Sequence, residues 1–121
     1  MIKALDGFSG KCLGFEASGA VTASDYRKVL EPAVNAALKD NKKLRLFYRI
    51  ADDFSGIGPG AMWEDFSVGM SHYFAWERIA IVTDNDWIAN SIGAFGFLMP
   101  AKVKAFALAD DAAARAWLQT Q

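Results

Sequence analysis

Two pairs of adjacent carboxylates, Asp52-Asp53 and Glu64-Asp65, flank the glycine-rich run Gly56-Ile57-Gly58-Pro59-Gly60. Carboxylates that converge on a cleft can act as general acid and base or hold a hard cation through oxygen. The same pairs more simply suit a solvated loop and the first turn of a helix, where the helix dipole favours negative charge. The glycines offer an anion nest, but no Walker lysine follows them. His72 has no partner near it in sequence and reads as a surface or core-edge imidazole. Cys12 would need a cation or a helix end to become a nucleophile, and its place in a strand reads as a small buried thiol. Gly69-Met70-Ser71 lacks the second glycine of a nucleophile elbow. No catalytic residue, metal ligand or cofactor is assigned, and the expectation is a protein that is not an enzyme.

The more informative residues are apolar. Met62, Trp63, Phe66, Met70, Tyr73 and Phe74 fall on one helical segment, and Trp87, Ile88, Ile92, Phe95, Phe97, Leu98 and Met99 on the next. A surface helix buries one apolar face about 100° wide, and the later segment is apolar nearly all round. The surplus must meet core, ligand, partner or lipid. Packing on the sheet with a homodimer over the remainder is the plain reading. The sharper one is a pocket between the two helices, lined by Phe54, Met62, Trp63, Phe66, Met70, Trp87, Ile92 and Phe95, since methionine repacks easily and rings offer wide contact. Phe97 and Leu98, with Lys102 and Lys104 beside anionic headgroups, form a candidate membrane or partner surface.

Composition narrows the partners. In 121 residues, thirteen basic against fourteen acidic side chains leave a formal charge of −1, with no basic stripe for nucleic acid. The 53% hydrophobic and 22% charged content fits one globular domain over 1–121. A lone cysteine fits a reducing, cytoplasmic setting. The amino terminus lacks a signal-peptide pattern, because Asp6 and Gly7 interrupt it. The uncharged run from Trp87 to Ala101 falls short of the roughly 20 residues a bilayer span needs, so it suits a peripheral contact only.

The elements that must position these groups follow from spacing. Ile2 to Leu5 and Lys11 to Ala17 read as strands around a glycine turn, with Leu13, Phe15 and Ala17 on one face. Thr22 and Asp25 signal a helix start. Tyr26, Val29, Leu30, Ala33, Val34, Ala37 and Leu38 keep helical spacing, while Pro32 predicts a kink or broken turn near Lys28 to Glu31. Asn41 is expected to end this helix in a left-handed conformation. Leu44 to Ile50 alternates as a strand, and Asp52 to Gly60 reads as loop. A second helix is expected from about Ala61 to Phe74, a central strand from Arg78 to Thr83, a third helix from Trp87 to about Phe97 capped by Asp84-Asn85-Asp86, a strand from Val103 to Leu108, and a last helix from Asp110 through Leu118. The predicted fold is α/β: a mixed, mostly parallel sheet of about five strands, the first two antiparallel, covered by four helices.

This order resembles the SpoIIAA-like family over nearly the whole chain. The resemblance rests on Asp53-Phe54-Ser55-Gly56, on Ala61-Met62-Trp63-Glu64-Asp65-Phe66, on Arg78 to Asp84 followed by Trp87, and on the strand entry from Pro100 to Phe106. It implies a fold similar to STAS domains and to lipid-carrying CRAL-TRIO domains, and with it a pocket for an apolar small molecule or lipid, or peripheral membrane contact. Asp53-Phe54-Ser55-Gly56-Ile57-Gly58 also looks like the loop in which anti-sigma-factor antagonists are phosphorylated, which would place the modification on Ser55. The chain departs from that motif at Phe54, where a small hydroxyl residue belongs, and adds Pro59-Gly60. A hydrophobic-ligand module is thus the leading expectation, and a phospho-regulated protein-interaction domain the alternative.

Overall fold

The computed structural model describes residues 1–57, 75–95 and 101–120. The antiparallel pair forms as its residues predict: β1 (Ile2–Ala4) lies against β2 (Cys12–Ala17), with Ile2 opposite Ala17 and Ala4 opposite Phe15. A two-residue strand, β3 (Ala20–Val21), follows. The first helical body is built in three pieces: α1 (Ala23–Asp25), a π turn over Tyr26–Leu30, and α2 (Glu31–Leu38). Thr22 and Asp25 close a capping box at its start. The hydrogen bond from Thr22's backbone N–H, then its hydroxyl and the terminal ammonium, hold the Asp25 carboxyl below its ordinary range.

Pro32 explains the π turn. In a regular helix its ring would press on the Lys28 carbonyl and leave that carbonyl without a donor. Instead the Glu31 N–H reaches back five residues to the Tyr26 carbonyl, and α2 restarts with the proline in its first turn, where a missing donor is harmless. The expected interruption is therefore a widened turn, and the apolar stripe survives it: Tyr26, Leu30 and Val34 are buried, with Val29, Ala33, Ala37 and Leu38 packed beside them. Asn41 corrects the sequence reading. Its side-chain and backbone N–H groups both donate to the Ala37 carbonyl, at 3.0 and 3.1 Å, and among the described residues only glycines have positive φ.

Strand β4 (Leu44–Ile50) runs parallel to β2, and β6 (Trp76–Val82) runs parallel to β4. Between them in sequence, β5 (Gly56–Ile57) pairs in parallel with β3, so part of the segment read as loop is a short strand. Helix α3 (Asp86–Phe95) leads to β7 (Lys102–Phe106), and a 3-10 turn (Leu108–Asp110) leads to α4 (Asp111–Gln119). The five-stranded sheet has the order β1-β2-β4-β6-β7, antiparallel at its first pair and parallel elsewhere. Its described helices number three bodies; the helix expected over 61–74 lies outside the described residues.

Both faces of the sheet are covered. One packs Leu13, Phe15, Leu44, Leu46 and Ile79 against the α1–α2 body. On the other, Phe47, Ala80 and Val82 meet Ala114 and Leu118 of α4. The side-chain alternation of β4 separates these layers, as a period of two requires. Each end of α4 is then tied by charge. At its start Arg49 bonds Asp111 at 2.7 Å and Glu16 at 3.0 Å, while Arg115 bonds Asp111 one turn back at 2.7 Å. At its end Arg45 donates to the carbonyls of Leu118 and Thr120, and Arg78, opposite Arg45 on β6, donates to that of Trp117. Cations there satisfy orphan carbonyls and complement the negative end of the helix dipole. Among the described residues no helix is long and apolar enough to cross a membrane.

Candidate functional site

Where parallel strands end, the chain must turn away from the sheet, and the space outside those carboxyl ends is where open α/β sheets receive ligands. Here β4 ends at Ile50 and β6 at Val82. The residues that follow, Ala51, Asp52 and Phe54 on one side and Thr83, Asp84 and Asn85 on the other, join Ile50 in lining an open cavity of about 220 Å³.

Backbone bonds hold the first lip. The Ala51 N–H donates to the Ala17 carbonyl (2.9 Å), Phe54 closes a turn onto the Ala51 carbonyl (3.0 Å), and the Ser55 N–H donates to the Gly19 carbonyl (2.8 Å). The pairing of β5 with β3 continues that attachment. The second lip is held by capping. The Asn85 N–H donates to Thr83 Oγ1 (3.0 Å), Asn85 Oδ1 accepts the Ile88 N–H (3.0 Å) at the start of α3, and Asp84 Oδ1 accepts the Leu108 N–H (2.8 Å). Of the three residues read as the α3 cap, Asn85 thus performs it and Asp84 instead fixes the chain after β7.

The lining mixes two chemistries. Ile50, Ala51 and Phe54 are half-buried and apolar, and Phe54 also packs against the larger core cluster. Asp52, Asp84 and Asn85 are exposed and polar, while Thr83 is buried. The wall therefore offers both apolar and hydrogen-bonding surface. Asp53 turns outward, its Oδ1 3.4 Å from the Gly19 nitrogen. Of Asp52 and Asp53 the structure therefore brings Asp52 to the cavity; Glu64 and Asp65 lie outside the described residues.

The other residues singled out by sequence separate clearly. Trp87, two positions beyond Asn85, is 76% exposed on the first turn of α3, and Ile92 on the same helix is half-buried. Met62, Trp63, Phe66, Met70, Phe97, Leu98 and His72, and the side chain of Phe95, lie outside the described residues. Lys102 and Lys104 are exposed on β7, with the Lys104 ammonium 5.1 Å above the Phe106 ring. Ser55 is exposed. Cys12 is half-buried, and burial pushes its thiol pKa up against the opposing pull of Arg45 and Lys11, with Glu77 raising it further. A thiol so shifted is a poor nucleophile at neutral pH. Among the described residues no group of three or more His, Cys, Asp or Glu is placed to hold a metal ion.

Sequence reading missed Ile50, Ala51 and Thr83 as lining residues and took Asp84 and Asn85 only as caps. The signal was present in the expectation of parallel strands, because the rule of carboxyl-end binding draws attention to residues that follow such strands, among them those after Ile50 and Val82.

A five-stranded mixed sheet with a cavity at the carboxyl ends of two of its parallel strands, joined by helices, is an α/β domain of the SpoIIAA-like fold. The family model described as SpoIIAA-like matches residues 12–119, and the chain belongs to that family. A solved structure from Shewanella loihica PV-4, an uncharacterised DUF3478-family protein with a SpoIIAA-like fold, superposes with a TM-score of 0.77 at 24% identity, covering 97% of this chain and 93% of that one. At that identity the likeness concerns the fold alone. Comparison with curated proteins finds no significant match.

Proposed function

We propose that this chain is a non-enzymatic binding module that takes a small molecule with an apolar body, or the end of a lipid, at the carboxyl ends of β4 and β6. The observation that carries the proposal is Phe54, a large half-buried ring that lines the cavity there in company with Ile50 and Ala51. Drug-sized ligands occupy pockets of about 300 to 1,000 Å³. A cavity of about 220 Å³ accordingly suits a smaller molecule, or one end of a longer one. Exposed Trp87 supplies further apolar surface shortly beyond the rim residue Asn85, which favours a ligand whose body extends past the cavity.

The test is native mass spectrometry of the chain after mild extraction, followed by titration with a hydrophobic dye and with a fatty acid. Binding should weaken about tenfold or more in Phe54→Ala, the loss expected when a buried aromatic contact worth roughly 1.5–3 kcal/mol is removed. The exposed control Lys3→Ala should bind as the parent does. Absence of any bound species and of any dye or fatty-acid response refutes the reading.

A second reading has its own supporting observation. Ser55 is exposed and adjoins the lining residue Phe54, so its hydroxyl is open to modification. Phosphorylation would add about −1.5 to −2 charges beside Asp52 and Asp53 and change what the cavity mouth accepts or which protein docks there. An ATP-dependent mass shift on Ser55 in the presence of a kinase supports this reading; a Ser55→Asp variant with unchanged ligand and partner binding opposes it.

A further inference from the structure

We infer that the molecule taken by this cavity carries a positively charged head, an alkylammonium in its simplest form, placed at the Asp52 and Asp84 carboxylates with its apolar part against Phe54. The inference rests on the binding reading above and names the ligand's chemistry.

Charge on the lining decides the sign. Asp52 and Asp84 bring two full negative charges to the wall, and no lysine or arginine is among the described residues that line it. The cation next to it in sequence, Arg49, is turned to the opposite face of the sheet, where Glu16 and Asp111 engage it. Among the described residues the positive feature beside it is the amino terminus of α3, equivalent to about half a charge. Asn85 caps that end and Asp86 adds a further carboxylate in its first turn, so the half-charge does not offset two carboxylates. Asp84 keeps its orientation through the Leu108 N–H on Oδ1, which leaves lone pairs on its carboxylate for a ligand donor. Phe54 suits the same guest twice over, because an aromatic face attracts a cation as well as an alkyl chain. A fatty acid of equal length would set its carboxylate against two like charges.

Three probes of one chain length separate the claims: hexylammonium, hexanol and hexanoate, titrated into the full chain at low salt and at high salt, with binding followed by calorimetry or amide shifts. Hexylammonium should bind about tenfold or more tightly than hexanoate, with hexanol between them. The preference should shrink at high salt, since the carboxylates are exposed and screened. In the isosteric variants Asp52→Asn and Asp84→Asn, hexylammonium should fall toward the affinity of hexanol while hexanol itself is unchanged. Hexanoate binding as tightly as hexylammonium overturns the cationic head and leaves the binding reading standing. No response to any of the three overturns both.

Discussion

Arg45 on β4 donates from Nε to Glu77 Oε1 at 2.5 Å, across a bulge that places two residues of β6, Glu77 and Arg78, opposite one. Trp76 and Ile79 on either side both face the α1–α2 layer, whereas Glu77 and Arg78 both face the end of α4. A regular strand would point these two neighbours to opposite faces, and a bulge is the device that re-aims one of them. Lys11 adds a second cation to the same Glu77 oxygen at 3.1 Å.

Arg45→Met should destabilise the fold by about 2–3 kcal/mol, because it deprives Glu77 of its nearest cation and the carbonyls of Leu118 and Thr120 of a charged donor. The figure lies below the usual cost of breaking a fully buried pair, since the Glu77 side chain is 35% exposed and can turn to water. Arg45→Lys should recover part of the loss, as an ammonium cannot reproduce the guanidinium fork. Urea unfolding measures this: the midpoint should fall with an unchanged slope. A midpoint equal to the parent's contradicts the role given to Arg45.

The same pair sets a pH dependence. Hydrogen bonds from Arg45, then from Lys11, hold the Glu77 carboxyl below its ordinary value. A carboxyl whose folded pKa is depressed stabilises the fold fully above its unfolded pKa, about 4.3 for glutamate, and loses that contribution as the pH falls through the lower folded value. The stability difference between the parent and Glu77→Gln should therefore be constant near neutrality and shrink below pH of about 4. A difference that grows on acidification has the wrong sign for this account.

Gly14 is required by a neighbour. A Cβ there would overlap carbons of the Phe8 ring, and that ring packs on Phe47 at 5.1 Å between centroids, under the Arg115 guanidinium. Gly14→Ala must displace Phe8 and should cost about 1–3 kcal/mol. Adding Phe8→Ala removes the clash, so the double variant should be more stable than the sum of the two single losses implies. Strict additivity in thermal or urea unfolding would show that the ring does not occupy this space.

Much of the fold was legible because its signals are local. The bounds of β4 follow from simple alternation, and the Tyr26 to Leu38 stripe holds through Pro32 because a π turn absorbs one misfit without turning the face away from the core. What local pattern did not yield was set by distant partners. Gly56 and Ile57 become a strand only because Ala20 and Val21 lie alongside. Trp76 and Glu77 were left out of β6 because the bulge breaks the alternation on which strand reading depends. The cavity was partly legible for the same reason. Phe54 and Asp52 drew attention by residue type, whereas Ala51 and Thr83 are ordinary residues made significant by where their strands stop.

The central claim is that the cavity beyond β4 and β6 receives an apolar body, and an uncharged probe tests it without the question of charge. Hexanol titrated into the isotopically labelled chain should shift the amide signals of Ala51, Asp52, Phe54, Thr83, Asp84 and Asn85 together along one saturating curve, and the affinity should fall about tenfold or more in Phe54→Ala. Saturating shifts centred on another part of the molecule, or undiminished in that variant, would contradict it.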